Sequence, residues 1–199
     1  MNLMILLLSM VLGSEPVAES SASIVLSGGI LCGEPGILPS GSLDLRYEEA
    51  WVAQGSYSGI RVVFKTKGRG ADHHELTLFI PSHSDFSVGY DSSVGEFVSI
   101  IPEVPFTFRA GGSAELKDRF GRPRPMKVEL THWKKSGKQS WSPRVLEFTG
   151  CEIEVETMLI RERKLAFSGS FECSSKETGY NASGKFDING GELGVSKVD

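Results

Sequence analysis

Residues 151–173, CEIEVETMLIRERKLAFSGSFEC, contain the clearest structural pattern of this chain. Apolar and polar residues alternate on both sides of its charged turn, residues 161–163, so each half would bury one face and expose the other. Two such runs joined by a short turn predict a β-hairpin. If the turn centres on Glu162, Cys151 and Cys173 lie directly opposite each other, and both belong to the apolar face.

A third alternating run, residues 180–188, follows a polar turn and predicts a β-meander. The phrases SGSF (168–171) and SGKF (183–186) indicate neighbouring strands with glycines at matching positions. The ending SGSF…SGKFDI resembles the C-terminal meander of uncharacterised secreted bacterial β-sandwich proteins. Upstream, LTLFIP (76–81) resembles the strand that such proteins place before a Gly-Tyr turn, here Gly89-Tyr90. The resemblance implies an exported β-sandwich and assigns no activity and no site residue.

Period-two alternation continues through the rest of the chain, and 23 glycines among 199 residues punctuate the short apolar runs. The further candidate strands are residues 60–65, 96–101, 106–109, 126–133 and 145–148. The best helical candidate, residues 114–120, is short. Many short strands separated by turn residues predict an all-β fold, namely a single-domain antiparallel β-sandwich, with a closed antiparallel β-barrel as the alternative.

The N-terminal residues MNLMILLLSMVL predict export. Their apolar run is too short to span a bilayer, which needs about 20 residues, but it suits the core of a secretory signal. Because no Lys or Arg precedes the run, a buried N-terminal helix or strand is the alternative. The predicted boundaries are a signal peptide at 1–13 with cleavage as late as residue 22, a Ser-rich tether at 14–23, one β-domain at 24–190 and a flexible tail at 191–199. The mature chain would be periplasmic or extracellular, with no transmembrane span.

Charge is unevenly distributed along a chain whose formal net charge is −4. Hydrophobic residues make up 40% and charged residues 23%, which excludes a membrane bundle and global disorder. Residues 109–144 contain ten Lys and Arg against three acids, so this segment is strongly basic. Its cationic and aromatic residues, predicted to bind an anion or a glycan, form the basic strip: Arg119, Arg122, Arg124, Lys127, Trp133, Lys134, Lys135, Lys138 and Trp141.

The basic strip suggests partners because cationic side chains attract anionic groups and exposed indoles stack on sugar rings. In an exported protein the predicted partners are acidic polysaccharide, lipid head groups or an acidic envelope protein, and not nucleic acid. A structural interpretation competes with this hypothesis. Lys134, Lys135 and Lys138 would then form a solvated hairpin turn, and Trp133 would belong to the core.

The three cysteines are Cys32, Cys151 and Cys173. In an oxidising compartment, two thiols that face each other across a hairpin form a disulfide when their geometry allows. Cys151 and Cys173 are therefore the predicted pair. A bridge to Cys32 and three buried free thiols are the alternatives. No CxxC motif indicates a redox-active site.

The sequence contains no clear motif for catalysis or metal binding. Metal-ligating residue types cluster at His73, His74, Glu75, His83 and Asp85, but the HExxH spacing is absent and adjacent strand residues face opposite ways. No GxSxG elbow or Gly-rich phosphate loop is present, so we predict no metal and no cofactor. The sequence favours an exported, non-enzymatic binding or structural module. The alternatives are a secreted hydrolase with a carboxylate/His cleft and a barrel that carries lipid or a small molecule.

Overall fold

The computed structural model describes residues 19–28, 41–53, 59–66, 73–82, 85–109, 126–136, 140–148, 150–175 and 178–196. These residues form strands and turns and contain no helix, which confirms the predicted all-β antiparallel fold. The strands are β1 (Ser21–Gly28), β2 (Gly41–Ala53), β3 (Gly59–Thr66), β4 (His73–Pro81), β5 (Ser87–Asp91), β6 (Glu96–Ile100), β7 (Phe106–Arg109), β8 (Lys127–Ser136), β9 (Ser140–Phe148), β10 (Gly150–Arg161), β11 (Lys164–Ser174) and β12 (Tyr180–Ser196). Each further strand predicted from alternation coincides with one of them.

Ten of the strands form one sheet in the order β7-β10-β11-β12-β1-β2-β3-β4-β8-β9. The sheet is antiparallel except for one parallel pairing between β12 and β2, and it is curled into a half-barrel. Strands β5 and β6 form a separate two-stranded sheet. This small sheet contacts both halves of the large one, because β5 packs on β2 and β3 while β6 packs on β10.

The hydrophobic core lies on the apolar face of the curled sheet. Alternate residues of each strand point to this face, so strands far apart in sequence contribute to one cluster. Phe64, Phe148 and Phe167 are fully buried there. Phe86, also fully buried, joins the core from the start of β5, and its ring lies 5.1 Å from that of Phe108.

The β10–β11 hairpin confirms the predicted opposition of Cys151 and Cys173, although its turn is placed differently. Glu162 and Arg163 together form the turn with positive φ angles of 45° and 68°, so the hairpin does not centre on Glu162. A β-bulge at Glu156 adds one residue to β10 and compensates for this offset. The sequence signature of the bulge is the pair Glu156-Thr157, where two consecutive exposed residues interrupt the alternation.

Cys151 and Cys173 are joined by a disulfide, and their Cα atoms lie 4.1 Å apart across the two strands. Both side chains are buried in the core. The predicted bridge is therefore present, which excludes the alternative of three free thiols. Cys32 lies outside the described residues.

Glycines of β11 and β12 make room for phenylalanine rings of the neighbouring strand. The two SG phrases do pair, but in antiparallel register Gly169 lies opposite Phe186 and Phe171 lies opposite Gly184. A Cβ atom on Gly184 would lie 2.5 Å from the Phe171 ring and would overlap the carbonyl oxygen of Ser23. Each glycine therefore leaves the space that a cross-strand phenylalanine occupies, as in the aromatic rescue of glycine in designed sheets.

Strands of the structure extend into both segments that were predicted as tail and tether. Strand β12 continues to Ser196, and its last four residues pair in parallel with β2. Leu193 is fully buried in this part of β12. At the other end β1 begins at Ser21, two residues before the predicted end of the tether, and Ala22 is buried. These short serine- and glycine-rich segments show no strong alternation, and their pairing partners lie far away in the chain.

The predicted signal peptide at 1–13 and the helical candidate at 114–120 lie outside the described residues. Within the part of the chain that the structure describes, no helix is long and apolar enough to cross a membrane.

Candidate functional site

The basic strip is only partly described by the structure. Arg119, Arg122, Arg124 and Lys138 lie outside the described residues. The backbone of the remaining members belongs to the β8–β9 hairpin, where Lys135 pairs in register with Trp141 and Lys134 pairs with Ser142. The hairpin at the edge of the sheet therefore brings Lys134, Lys135 and Trp141 close together in the backbone register.

Lys127 is already neutralised by neighbouring carboxylates. Its Nζ lies 3.0 Å from Glu147 Oε1 and 3.8 Å from Glu129 Oε1. Glu129 also lies 4.0 Å from the Arg61 guanidinium, which stacks 5.3 Å from the Trp51 ring. These partly exposed pairs join charged residues of β3, β8 and β9, so Lys127 contributes to the sheet surface and adds little free positive charge for a ligand.

Trp133 is partly buried and packs on a neighbouring strand. Its ring is stacked at 6.1 Å on His73, its register partner on β4. The indole Nε1 is buried and has no hydrogen-bond acceptor among the described residues. Both observations favour a packing role for Trp133.

The histidines predicted as metal-ligand types lie in strand β4 rather than in a loop. Because neighbouring strand residues face opposite ways, His73 stacks on Trp133 while His74 stacks on His132 at 4.6 Å. Among the described residues no group of three or more His, Cys, Asp or Glu could hold a metal ion. His83 lies outside the described residues.

A depression on the polar face of the sheet was not predicted from the sequence. It has a volume of about 650 Å³ and crosses five adjacent strands, β10, β11, β12, β1 and β2. We call it the serine groove. Its polar lining residues are Glu19, Ser21, Ser23, Asp44, Arg46, Glu156, Ser168, Lys185 and Asp187.

Strand register explains why a depression forms at this place. Along one row across the sheet, Ser21 of β1 lies between Asp187 of β12 and Arg46 of β2. In the next row, Ser23 lies between Lys185 and Asp44 in the same way. The short serines of β1 therefore form a floor, and the longer charged residues of the flanking strands form walls.

A second depression of about 540 Å³ continues along the same face. Val25 and Ser27 of β1 form its floor. The residues that flank them include Asn181, Ser183 and Glu172. From Ser21 to Ser27 the floor extends roughly 20 Å at the rise of a β-strand. An extended ligand could therefore lie along β1 and contact one rigid face.

The serine groove has mixed charge with an acidic excess. Four carboxylates and two cations line it, which gives a formal charge of −2. The Arg46 guanidinium is held 3.0 Å from Glu19 at one end of the groove, where both side chains are about half exposed. The serine hydroxyls supply both donors and acceptors. The groove can therefore form hydrogen bonds with hydroxyl and amino groups, and its charge opposes a polyanion.

Tyr47 packs at the seam between the start of β1 and the place where β12 pairs with β2. Its hydroxyl donates a hydrogen bond to the Glu192 carbonyl oxygen, and its ring occupies the space that a side chain at Gly191 would need. Burial, with a smaller contribution from the Glu192 carboxylate, raises the pKa of Tyr47 to about 12. Tyr47 therefore remains neutral at physiological pH and stabilises the seam next to the groove.

The serine groove escaped prediction because its residues are common and distant in sequence. The only signal was the alternation of serines in residues 20–27 and 168–170, which also suits an unstructured tether or a plain exposed face. The groove exists only after the register places these serines between charged strands. No family model, no curated protein and no solved structure matches this chain.

Proposed function

We propose that this protein is an exported, non-enzymatic β-domain that binds a polysaccharide of the cell envelope or of the extracellular space in the serine groove. The observation that carries the proposal is the groove itself, a depression of about 650 Å³ with a floor of hydroxyls and walls of both charges. Hydrogen-bonded sheet strands hold this surface in place, so it is preorganised for a ligand. Its acidic excess favours a neutral or amino-bearing polysaccharide over an acidic one.

Export is supported by the Cys151–Cys173 disulfide, because such bridges persist mainly in oxidising compartments. The apolar N-terminal run supports the same location. Expression of the full chain in a bacterial host should place the protein in the periplasm or the medium, with a new N-terminus after residue 13 and no later than residue 23. Retention in the cytoplasm with an intact N-terminus, measured by fractionation and mass spectrometry, would contradict export.

Polysaccharide binding is tested with chitosan and chitin oligomers as amino-bearing and neutral probes and with heparin as the acidic probe. We expect binding of chitosan at least as tight as that of chitin, and weaker binding of heparin. Ser23→Trp would fill the floor of the groove, and we expect it to weaken chitosan binding at least tenfold. Ser99→Trp on exposed strand β6 introduces the same ring elsewhere and should leave affinity unchanged.

Two results would contradict the groove as the binding site. One is an absence of binding to both chitosan and chitin. The other is tight heparin binding that Ser23→Trp leaves intact and that Lys134→Gln/Lys135→Gln abolishes. The second result would instead support the basic strip, for which acidic polysaccharide, lipid head groups and an acidic envelope protein remain the predicted partners.

A further inference from the structure

A second, smaller pocket lies between two hairpin turns, away from the serine groove. The β5–β6 turn contributes Gly95, Glu96 and Phe97, and the β10–β11 turn contributes Arg161 and Arg163 together with Ile160 and Glu162. The pocket has a volume of about 340 Å³, near the lower end of the range for small-molecule sites. We call it the turn pocket.

The walls of the turn pocket are held in place by the fold. The Phe97 ring packs edge-on against Tyr90 at 5.2 Å, and Ile160 packs on the hydrophobic core. Leu193 donates a backbone hydrogen bond of 2.7 Å to the Arg163 carbonyl oxygen, which ties this turn to β12. The apolar surface and the turn backbone are therefore positioned before any ligand binds.

The charged groups of the turn pocket are balanced and have no partners within the described part of the chain. Two guanidinium groups and two carboxylates line it. Arg161, Arg163, Glu96 and Glu162 make no ion pair with any described residue. Two cations and two anions around an apolar surface match a molecule that carries one positive group, one negative group and an apolar body.

The turn residues themselves are unusual for their backbone conformation. A two-residue hairpin turn with both φ angles positive strongly prefers Asn-Gly, because other residues are strained there. This turn has Glu162 and Arg163 at φ 45° and 68° instead. Strained residues that persist in a structure are often retained for the function of their side chains.

We propose that the turn pocket binds a small zwitterion with an apolar body, of the class of hydrophobic α-amino acids or short peptides. The ligand carboxylate is bound by Arg161 and Arg163, its ammonium group by Glu96 or Glu162, and its apolar side chain by Phe97 and Ile160. The proposal does not depend on the serine groove, since the two sites share no residue.

The test compares L-phenylalanine with two blocked derivatives by isothermal titration calorimetry on the full chain. N-acetyl-L-phenylalanine lacks the cation and L-phenylalanine amide lacks the anion. We expect L-phenylalanine to bind and each derivative to bind at least tenfold more weakly. Equal affinity for all three, or no heat of binding for L-phenylalanine at millimolar concentration, would overturn the proposal.

Charge variants assign the two ends of the ligand. Arg161→Gln/Arg163→Gln should weaken L-phenylalanine binding at least tenfold and leave the already weak binding of the amide unchanged. Glu96→Gln/Glu162→Gln should also weaken the binding of L-phenylalanine. It should leave the already weak binding of the N-acetyl derivative unchanged. Arg46→Gln in the serine groove is the matched control and should change nothing. Circular dichroism and a thermal melt check that each variant is folded, and folded charge variants that retain full affinity for L-phenylalanine would refute the assignment.

Discussion

At the scale of single residues, the glycines of β11 and β12 determine how closely the strands can pack. Gly184→Ala would place a Cβ atom against the Phe171 ring and against the backbone of β1. Because backbone cannot move aside, we expect the free energy of unfolding to fall by about 1–3 kcal/mol. Gly89→Ala is the matched control, since the nearest atom to its Cβ would be 3.9 Å away. Urea unfolding measures both, and equal stability of the two variants would contradict the packing described for Phe171.

In the β10–β11 turn we expect a substitution to glycine to stabilise the protein. Arg163 adopts φ 68°, a left-handed conformation that costs a non-glycine residue about 1–2 kcal/mol. Arg163→Gly should therefore stabilise the protein by about 1 kcal/mol and keep the backbone hydrogen bond to Leu193. The same variant should bind L-phenylalanine less tightly. A lower melting temperature would show that the Arg163 side chain supports the fold, which contradicts its assignment to the turn pocket.

The raised pKa of Tyr47 predicts that the free energy of unfolding falls at high pH. Its folded pKa of about 12 lies above the ordinary value of 10.0, so the unfolded chain loses the proton first. The stability from the neutral hydroxyl is present below pH 10 and is lost as the pH rises from 10 to about 12. Spectrophotometric titration near 295 nm should show one tyrosine with a midpoint near 12 that disappears in Tyr47→Phe. A wild-type titration with every tyrosine near 10 would contradict the buried seam.

At the scale of elements, the β10–β11 hairpin shows what alternation can and cannot predict. Alternation correctly placed Cys151 and Cys173 on the apolar face, where a register slip of one residue would expose them, and a turn centred on Glu162 placed them opposite each other. It missed the two-residue turn and the bulge at Glu156, whose effects on register cancel. The polar pair Glu156-Thr157 marks the bulge in the pattern, but the type of the turn depends on φ angles that a hydrophobicity pattern does not contain.

The disulfide should contribute substantially to stability. It closes a loop with a sequence separation of 22, for which restriction of the unfolded chain is worth about 3 kcal/mol. Cys151→Ala/Cys173→Ala should lower the free energy of unfolding by about that amount, and reductant should destabilise the wild type only. Thiol counting under denaturing conditions without reductant should find one free thiol among the three cysteines. Three free thiols would refute the bridge.

The C-terminal half of β12 is an integral part of the sheet. Leu193 is fully buried where β12 runs parallel to β2, so Leu193→Ala should cost about 2–4 kcal/mol. Val195→Ala, two residues further along and only half-buried, is the control and should cost about 1 kcal/mol or less. If both variants unfolded at the same urea concentration as the wild type, residues from 191 onward would behave as the tail that the sequence suggested.

At the scale of the whole molecule, all-β class and strand positions follow from the sequence, whereas the proposed binding surface does not. Period-two alternation is local, so strands such as β10 and β11 are visible in short windows of sequence. The serine groove instead combines Ser21 and Ser23 with Lys185 and Asp187, which approach each other only through sheet register. The basic strip was easier to see because its charges are contiguous, yet its Lys127 is paired and its Trp133 is packed.

Binding in the serine groove can be mapped by following the backbone amide chemical shifts during titration with chitosan oligomer. We expect the largest changes to cluster on β1 at Ser21 and Ser23, on β12 at Lys185 and Asp187, and on β11 at Ser168. The same titration of Ser23→Trp should remove these changes. Shifts confined to the β8–β9 hairpin at residues 134–144, or no shifts at saturating oligomer, would contradict binding in the serine groove.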